Sequence, residues 1–424
     1  MARYDAAVVQ LARLGDLAQT YPLVARLQDK YGAGRVVLVV DEGLAGFAGL
    51  MVGADNVIPI PLKSLAAAGS IGKNEWATVA GLAGDLRRFA ARTVIALNYH
   101  PGAAAVAEAI PAERRLGVRW GDVTKGRPSD KVIASLFAAT TGNRRGQRHL
   151  SDLWCGYADD ADYASYHPIP ITNDLERHAI DLFKSVDIHP DERPIAVVPG
   201  AGLPAREWGI YNYSELVRNI ADIAPVILIG SAADKELAQS IIAAVGDGRV
   251  KSLCGRTDPA QLAGALSRCR LAIGVDTGAL QLAAMVGCRC LGLYYGSMNF
   301  YETGPYGEDN LIVAPDHPLY PCQEWEMERH PERFVSEIPA GAAISAVQIA
   351  LGNESTDFAF SDVALYKSER TPWRAGFSPL RPSYNYHERA EARPPRRPCM
   401  LNGNGLEWRR VEVGGSVLQL PRAG

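Results

Sequence analysis

The chain has 424 residues, of which 47% are hydrophobic and 21% are charged, and its formal net charge is −3 at pH 7. This length is enough for two domains with full cores, and the composition is that of a soluble globular protein without a membrane-spanning apolar run. The small net charge gives no reason to expect a nucleic-acid partner.

The N-terminus and the cysteines both indicate the cytoplasm. The first residues lack the basic region, apolar region and small-residue cleavage site of a secretory signal. The seven cysteines form no CxxC pair and no Cys/His grouping with zinc spacing, and the eight histidines show no metal-binding pattern. We therefore expect reduced thiols in the core and a protein that binds no metal.

Strand and helix patterns alternate through the first part of the chain. Residues 5–12 form an apolar run, residues 17–32 follow a helical period, and the apolar run RVVLVV comes next. TVIALNY at 93–99 has the same strand character. This alternation is typical of a parallel sheet with helices on both faces.

A second alternating series begins at PIAVVPG (194–200) and continues to RCLGLYY (289–295). The sequence therefore predicts two doubly wound α/β halves, which we place at residues 1–170 and 171–351. Ligands of such sheets lie outside the carboxyl ends of the strands. The loops that follow strands are thus the places to look for a site.

Residues 352–424 break the pattern and form a basic, Pro- and Arg-rich C-terminal extension. From Tyr366 onward there are eleven Lys and Arg against five Asp and Glu, and ARPPRRP occupies 392–398. Two alternating runs, LEWRRVEV and SVLQL, are predicted to pair as strands. We expect an appendix that docks on the second half or is partly disordered.

The first candidate site is the start of the apolar helix in GVDTGALQLAAMVGC, where Asp276, Thr277 and Gly278 precede or open the helix. The free N–H groups and the dipole of a helix start favour an anion, and glycine leaves the approach open. Gln281 shares a face with Thr277. The alternative is an ordinary Asp cap before a buried helix.

The second candidate is the loop PGAGLPAREWG at 199–209, which contains Gly200, Ala201 and Gly202. Its letters match G-x-G-x-x-A, but Pro204 interrupts the helix that a dinucleotide fingerprint needs, so we reject that interpretation. The loop offers backbone donors, and Arg206 is a permanent cation able to bind a phosphate. The alternative is a solvated loop arginine.

The third candidate is Asp16 in RLGDLAQT, at the start of the first helix. A carboxylate at this place caps the helix in most proteins. It would instead act as a general base if it came within hydrogen-bond reach of an acceptor hydroxyl.

Three segments together resemble glycosyltransferase family 9, the bacterial heptosyltransferase family that builds the lipopolysaccharide inner core. They are RLGDLAQTYPLVARL, PGAGLPAREWGIYNYSELV and VDTGALQLAAMVGCRCLGLYYGSMNFYETGPYG, and the likeness spans about residues 5 to 350. The resemblance implies a GT-B fold, in which two Rossmann-like domains face each other across a cleft. It also implies inverting, metal-independent transfer of a sugar.

The resemblance assigns roles to individual residues. It implies that Asp16 is the catalytic base and that the acceptor lies in the N-terminal half, where we expect Arg13 and His100 to contact it. It places the nucleotide-sugar donor in the C-terminal half. The predicted donor-binding residues are Gly200, Ala201, Gly202, Arg206, Asp234, Glu236, Asp276, Thr277, Gly278 and Gln281, with Asp234 and Glu236 as alternatives for the nucleoside contact.

Two positions depart from the family pattern. Gln281 stands where the family usually has histidine in D-T-G-x-x-H, and Arg206 stands where lysine is common. The donor, ADP-heptose in the family, is therefore left open here, as is the degree of activity. The predicted function is sugar transfer from a nucleotide diphosphate to a lipopolysaccharide-like or other surface-glycan acceptor, without a cofactor.

Two alternatives remain from the sequence: a nucleotide-sugar epimerase or hydrolase of the same fold, and a non-catalytic glycan-assembly protein that retains the donor cleft. We also expect peripheral membrane contact, at the inner face of the cytoplasmic membrane, through the basic extension. A solvated or subunit-docking arm is the other interpretation of that extension. The arginines concerned are Arg381, Arg389, Arg393, Arg396, Arg397, Arg409 and Arg410.

Overall fold

The structure is a computed structural model, and it describes residues 3–62, 82, 84–141, 148–158, 167–189, 191–317, 320–353, 356–371, 374–381, 408–413 and 416–421. Within these ranges, no helix has both the length and the apolar character that crossing a bilayer requires. The six cysteines in this part of the chain are free and buried, as predicted. The seventh, Cys399, lies outside the described residues.

The first sheet is built from apolar runs of the N-terminal half. Its strands are β1 (Tyr4–Gln10), β2 (Val36–Asp41), β3 (Val57–Ile60), β4 (Ala91–Ala96) and β5 (Ala112–Gly117). They lie in the order β3-β2-β1-β4-β5, and all neighbours are parallel. β1 and β2 are buried almost throughout, which is typical of a parallel sheet with helices on both faces.

Helices connect these strands. They are α1 (Leu14–Tyr31), α2 (Ala45–Val52), α3 (Pro101–Ala109), α4 (Trp120–Lys125), α5 (Lys131–Thr141) and α6 (Leu150–Cys155). The helix predicted at 17–32 is α1, and the four residues of its predicted apolar face, Leu17, Tyr21, Val24 and Leu27, are buried. The helix begins three residues earlier than predicted, so Asp16 lies in its first turn.

The second sheet is larger. Its strands are β6 (Ile195–Val198), β7 (Val226–Leu228), β8 (Val250–Ser252), β9 (Leu271–Val275), β10 (Cys290–Leu293), β11 (Leu311–Pro315), β12 (Val363–Thr371) and β13 (Arg374–Arg381). The order is β13-β12-β11-β10-β9-β6-β7-β8. The strands from β6 to β11 are parallel to their neighbours, as the alternating pattern predicts.

The two remaining strands come from the predicted extension and correct its boundary. β12 pairs antiparallel with β11, with Leu311 opposite Lys367, and β13 pairs antiparallel with β12. Residues 363–371 and 374–381 thus belong to the second sheet, although the sequence divided the chain after residue 351. Their pairing covers the edge that β11 would otherwise expose, a common way to protect unpaired N–H and C=O groups.

The last described segment is a hairpin. β14 (Trp408–Val413) pairs antiparallel with β15 (Ser416–Pro421), with Trp408 opposite Pro421. The predicted pairing of LEWRRVEV with SVLQL is therefore confirmed. The Pro- and Arg-rich segment at 392–398, with most of the arginines assigned to membrane contact, lies outside the described residues.

The helices of the second half are α7 (Asn173–Lys184), α8 (Ile210–Ile220), α9 (Lys235–Val245), α10 (Pro259–Ser267), α11 (Gly278–Met285), α12 (Phe300–Thr303), α13 (Glu324–Arg329), α14 (Pro331–Val335) and α15 (Ala340–Ala350). Gly246 ends α9 in the left-handed region, with φ 70°, as the sequence predicts. α10 begins at a capping box of Asp258 and Gln261.

Both sheets have a doubly wound strand order, which confirms the predicted α/β architecture. In the first sheet the order reverses between β1 and β4, and in the second it reverses between β6 and β9. Ligands of such folds bind in the crevice outside the carboxyl ends of the strands at this reversal. The loops after these four strands are residues 11–13, 97–100, 199–209 and 276–277, and they contain or adjoin most of the predicted site residues.

The two halves touch at the starts of α1 and α11. A Cβ atom on Gly278 would lie 2.9 Å from the backbone nitrogen of Gly15 and 3.2 Å from the Cβ of Leu14. A Cβ on Gly15 would lie 3.2 Å from the Cα of Gly278. Two helix starts from different halves therefore approach to backbone contact, which glycine at both positions permits.

We expect Gly278→Ala to destabilise the protein by about 1–3 kcal/mol, the usual cost of overpacking a close contact. Alanine is the better helix former by roughly 1 kcal/mol, so a loss of stability would report the clash with Gly15 rather than helix propensity. Urea unfolding measures the change. Gly248→Ala is the control, because a Cβ at Gly248 meets nothing within 4 Å. Equal stability of the two variants would contradict the prediction.

Candidate active site

Asp16 lies in the first turn of α1, beside the contact between the halves. Its Oδ2 accepts a hydrogen bond of 3.2 Å from the backbone N–H of Arg13. Burial raises the pKa of the Asp16 carboxyl above its ordinary value, while the Arg13 N–H and the Arg13 charge oppose the rise. A half-buried carboxylate with a raised pKa is a stronger base than an exposed aspartate.

A polar network beneath Asp16 fixes the start of α1. Thr20 Oγ1 donates to the Asp16 carbonyl at 2.8 Å, and Gln10 Nε2 donates to Thr20 Oγ1 at 3.0 Å. Asn98 Nδ2 donates to Gln10 Oε1, and Asn98 Oδ1 accepts from Leu11 N at 2.6 Å. The loops after β1 and β4 are thereby joined. Sequence reasoning missed this network, because Gln10 and Asn98 lie inside apolar runs.

The predicted acceptor residues lie at the same mouth. His100 caps α3, where its Nδ1 accepts from Gly102 N at 3.1 Å, and its side chain is exposed. Arg13 is also exposed, and its Nη1 lies 3.4 Å from the point a Cβ on Gly202 would occupy. Arg13 thus reaches from the first half to residues 199–209 of the second half (the glycine loop). The sequence did not predict this position of Arg13.

Arg206 lies at the end of a 3-10 turn, Pro204–Arg206, in the glycine loop. Its Nη2 donates to Glu324 Oε1 at 2.9 Å, and its carbonyl accepts from the Tyr295 hydroxyl at 2.9 Å. The Nε atom of Arg206 is buried and has no hydrogen-bond partner among the described residues. A buried donor of this kind is available to a phosphate oxygen.

Asp234 packs directly under the glycine loop. A Cβ on Gly200 would lie 2.0 Å from Asp234 Oδ1, and one on Gly230 would lie 2.7 Å from Oδ2. Oδ2 accepts from the Ser231 backbone N–H at 2.6 Å and from the Ser231 hydroxyl at 2.7 Å. Asp234 therefore closes the turn that precedes α9, whereas Glu236 is exposed one residue into that helix.

Asp276 directly follows β9 and is held by side chains of α11 and α12. Thr303 Oγ1 donates to its Oδ2 at 2.9 Å, and Gln281 Nε2 approaches Oδ1 at 3.4 Å. Burial raises the pKa of Asp276, and the charge of Arg206 and the hydrogen bonds from Thr303 and Gln281 oppose the rise. The charge of Asp16 raises it further, so these two carboxylates lie close enough to repel one another.

Gln281 is only 1% exposed and binds protein groups rather than facing the cleft. Its Nε2 donates to the Thr303 carbonyl and lies 3.4 Å from the Tyr294 hydroxyl, which donates to the same carbonyl at 2.6 Å. Its Oε1 has no partner among the described residues. Gln281 thus fixes the end of α12 and the residues after it, 303–306 (the 303 loop), against Asp276. Direct contact between Gln281 and a donor stays a prediction.

Thr277 and Gly278 form the start of α11 as predicted. Thr277 is the N-cap, and its Oγ1 accepts from Leu280 N at 3.4 Å. Gly278 is the first helical residue and faces Gly15. The N-terminal end of this helix therefore points toward the first half, where Asp16 lies.

His149 joins the halves near the 303 loop, and sequence reasoning assigned it no role. Its Nδ1 accepts from Ser151 N at 3.1 Å, so Nε2 carries the proton and donates to the Gly304 carbonyl at 2.8 Å. Its ring packs on Tyr306, 4.9 Å between centroids, and the Tyr306 hydroxyl donates to Asp152. Both ring nitrogens are used by the neutral form, and the side chain is 1% exposed.

These contacts predict a pH effect on stability. Burial lowers the pKa of His149, and the nearby Asp152 only partly opposes this, so the unfolded chain takes up a proton before the folded protein does. We expect the free energy of unfolding to fall below about pH 6.5, by up to about 1.4 kcal/mol per pH unit. Urea unfolding at about five pH values between roughly 7.5 and 5 measures this change in the free energy of unfolding.

The matched control for this pH effect is His149→Gln, which keeps a donor for the Gly304 carbonyl and cannot titrate. The difference in unfolding free energy between wild type and this variant should shrink as the pH falls, because only the wild type loses the His149 contribution. A difference independent of pH would contradict the assignment.

No group of three or more His, Cys, Asp or Glu side chains in the described ranges is arranged to hold a metal ion. The expectation of a metal-free site stays a prediction. The donors gathered here are instead backbone N–H groups, one arginine and several hydroxyls, and this set suits an anion. Sequence reasoning found Asp16, Arg206 and the start of α11, but it missed Thr303, Tyr294 and Glu324.

Comparison with known proteins identifies the family of the chain. The sequence model of the family described as glycosyltransferase family 9 (heptosyltransferase) matches residues 79–331. Lipopolysaccharide heptosyltransferase 1 of Pseudomonas aeruginosa is 23% identical over 321 residues, which are 74% of this chain and 85% of that protein.

Solved structures share the fold. A glycosyl transferase family 9 protein of Veillonella parvula has a TM-score of 0.66 at 18% identity and covers 84% of this chain and 99% of its own. An Escherichia coli heptosyltransferase solved with ADP has a TM-score of 0.60 at 17% identity, with 81% and 99% covered. Since the family match spans more than half of the chain, this protein belongs to glycosyltransferase family 9 and is a glycosyltransferase.

Proposed function

We propose that the protein transfers a heptose from a nucleoside diphosphate donor to a lipopolysaccharide-type acceptor, with inversion and without a metal or other cofactor. The observation that carries this proposal is the approach of Asp16 in one half to the Arg206 and Asp276 cluster in the other, at the Gly15 to Gly278 contact. This approach supports a base in one half that acts on a donor bound in the other.

The donor's diphosphate is proposed to bind in the second half. The Gly200 to Gly202 backbone and the buried Nε of Arg206 would supply donors, close to the start of α11. Negative charge grows on the diphosphate as the sugar leaves, and fixed donors in a water-poor site stabilise such charge strongly. An Escherichia coli heptosyltransferase of the same fold was solved with ADP, which supports a nucleotide ligand for this protein.

The acceptor is proposed to bind at the mouth of the first half, beside Arg13 and His100. Asp16 would take the proton of the attacking hydroxyl as its oxygen bonds to the anomeric carbon from the face opposite the diphosphate. One displacement of this kind inverts the anomeric centre. The Pseudomonas aeruginosa relative is named a lipopolysaccharide heptosyltransferase, which supports an acidic glycolipid as acceptor, and Arg13 suits its anionic groups.

The roles of three further predicted residues follow from their contacts. Gln281 is proposed to position the 303 loop and Asp276 instead of donating to the leaving group, as the family histidine would. Asp276, held by Thr303, is proposed to accept hydrogen bonds from donor hydroxyls or to orient Arg206. The exposed Glu236 is proposed as the nucleoside contact, because the Oδ2 of Asp234 already serves Ser231.

A thermal-shift panel followed by a transfer assay tests the proposal. A ligand that binds only the folded state raises the melting temperature according to its affinity, so ADP and ADP-heptose should stabilise the protein more than UDP or GDP. Product should then form only with an acceptor such as truncated lipopolysaccharide. Donor consumption without acceptor would identify a hydrolase or epimerase, and donor binding without any product would identify a non-catalytic protein.

We also propose that the basic extension draws the enzyme to the inner face of the cytoplasmic membrane, where a glycolipid acceptor would be presented. The support is its excess of Lys and Arg from Tyr366 onward. Because β12 and β13 complete the second sheet, the test should delete only residues 382–424. Unchanged co-sedimentation of this variant with anionic vesicles would refute the membrane role.

A further inference from the structure

The strongest unassigned contact in the site is the ion pair between Arg206 and Glu324. Arg206 Nη2 and Glu324 Oε1 are 2.9 Å apart, and the side chains are 26% and 57% exposed. The two residues come from different elements, since Arg206 lies in the loop after β6 and Glu324 is the first residue of α13. The family resemblance gives Glu324 no role, and its position 118 residues away hides it in the sequence.

The start of α13 is fixed in a way that holds Glu324 at Arg206. Glu326 Oε2 accepts from the Gln323 backbone N–H at 2.9 Å, which caps the helix. Met327 is 1% exposed, and its sulfur lies 3.3 Å from the Ser297 backbone nitrogen. A cap and a buried anchor thus set the helix start, so the backbone of Glu324 is held beside Arg206 while its side chain remains 57% exposed.

Arg206 lies near two carboxylates. Glu324 contacts the guanidinium directly, at 2.9 Å. The charge of Arg206 lowers the pKa of Asp276, which lies just after β9. A diphosphate that binds Arg206 competes with Glu324 for the positive charge of the guanidinium, and it also meets the repulsion of that carboxylate.

We infer that Glu324 competes with the diphosphate for Arg206. Its carboxylate pairs with the Arg206 guanidinium when the site is empty, and it leaves the guanidinium when a nucleoside diphosphate binds. This inference rests on the proposed function. Glu324 therefore weakens nucleotide binding, and it returns to Arg206 as the nucleoside diphosphate product leaves. Product release limits turnover in many enzymes, so a built-in competitor for Arg206 would speed the cycle at some loss of affinity.

The alternative role gives the opposite sign. If Glu324 only oriented the Arg206 guanidinium for the phosphates, then removal of its charge would loosen Arg206 and weaken binding. Competition predicts tighter binding, because the half-exposed carboxylate no longer holds Nη2 and no longer repels the ligand. The direction of the change in affinity thus distinguishes the two roles.

Titration calorimetry with ADP, GDP, UDP and inorganic pyrophosphate tests the inference on three intact proteins: wild type, Glu324→Gln and Glu328→Gln. We expect the dissociation constant of the best-bound anion to fall about three- to tenfold in Glu324→Gln at low salt, and by less at high salt, because exposed ion pairs are weak and screened. Glu328 is an exposed acid one turn later on the same helix, so its variant makes the same charge change without removing the ion pair with Arg206.

The outcomes separate the inference from the proposed function. If the wild type binds one of these anions and Glu324→Gln binds it equally or more weakly, the competing role of Glu324 is overturned, while the proposed donor site is still supported. An equal gain in Glu324→Gln and Glu328→Gln would also overturn it, since the effect would then be net charge alone. Failure of the wild type to bind any of the four anions would overturn both. Glu324→Asp, which keeps the charge on a shorter side chain, should lie between wild type and Glu324→Gln.

Discussion

Asp16→Asn should lower kcat for sugar transfer by roughly 10²- to 10⁴-fold, the usual contribution of a positioned general base. The amide keeps the size of the side chain and an oxygen for the Arg13 N–H, but it cannot take a proton from the acceptor hydroxyl. Donor affinity should not fall, because Asp16 belongs to the opposite half from the glycine loop and the variant only removes a negative charge near Asp276. Single-turnover transfer and ADP titration measure the two quantities separately.

The fold offers a close match as control. Asp122 caps α4 as Asp16 caps α1: its Oδ2 accepts from the Arg119 backbone N–H at 3.2 Å, again in a capping box with an arginine. Asp122→Asn therefore removes the same kind of cap from the same half of the protein. It should leave kcat within about twofold of wild type, as expected for a cap effect on stability alone. Wild-type turnover by Asp16→Asn would exclude it as the base.

The pH dependence of transfer adds a second signature for Asp16. Burial raises its pKa, so kcat/KM should fall with decreasing pH at a higher pH than for an exposed aspartate. The sign follows from the mechanism, since only the ionised carboxylate accepts the proton. In Asp16→Asn the residual activity should lose this acidic limb.

The fold was predictable because both halves consist of apolar strands and helices whose ends are marked by turn and cap residues. The strands β6 to β10 and the helices between them follow the sequence pattern, and Gly246 ends α9 where glycine predicts it. The strands β12 and β13 were harder to assign to the sheet. The segment LYKSER in β12 contains three charged residues, which do not indicate a strand inside a sheet. Its partner β11 lies about 50 residues earlier, so no local pattern signals the pairing.

Within the site, residues next to a strand end were predictable and their partners were not. Asp16, Arg206 and the start of α11 each follow a strand, which is where doubly wound sheets bind ligands. Thr303 and Tyr294 contact Asp276 from 27 and 18 residues further on, and Glu324 contacts Arg206 from 118. Such contacts depend on the paths of long loops, which a single sequence does not encode in any periodic way.

The same argument explains Gln281. From the sequence it shares a helix face with Thr277 and was assigned to the donor. In the structure that position lies under the 303 loop and beside Gly15, with 3.6 Å between Gln281 Cγ and the point of a Cβ on Gly15. Helical spacing fixes which residues share a face, but the neighbours of that face come from the other half of the protein.

Arg206→Gln should raise the dissociation constant of ADP by about 10- to 100-fold, because a hydrogen bond between charged groups contributes roughly 1.5–3 kcal/mol. The loss has two sources. The diphosphate loses its guanidinium, and Glu324 and Asp276 lose the cation that offsets their repulsion of an anion. Arg206→Lys keeps the charge but lacks the planar guanidinium, so its dissociation constant for ADP should lie between those of wild type and Arg206→Gln. Titration calorimetry at fixed salt measures each constant.

A double variant divides these two sources. In Arg206→Gln/Glu324→Gln the ADP affinity should recover partly, since the unpaired Glu324 carboxylate is gone, and the coupling measures how far Arg206 and Glu324 act as one unit. Arg249→Gln is the control: Arg249 is also an ion-paired arginine of the second half, but its partners are Asp222 and Asp247. ADP affinity of Arg206→Gln equal to that of Arg249→Gln would place the diphosphate elsewhere than at the glycine loop.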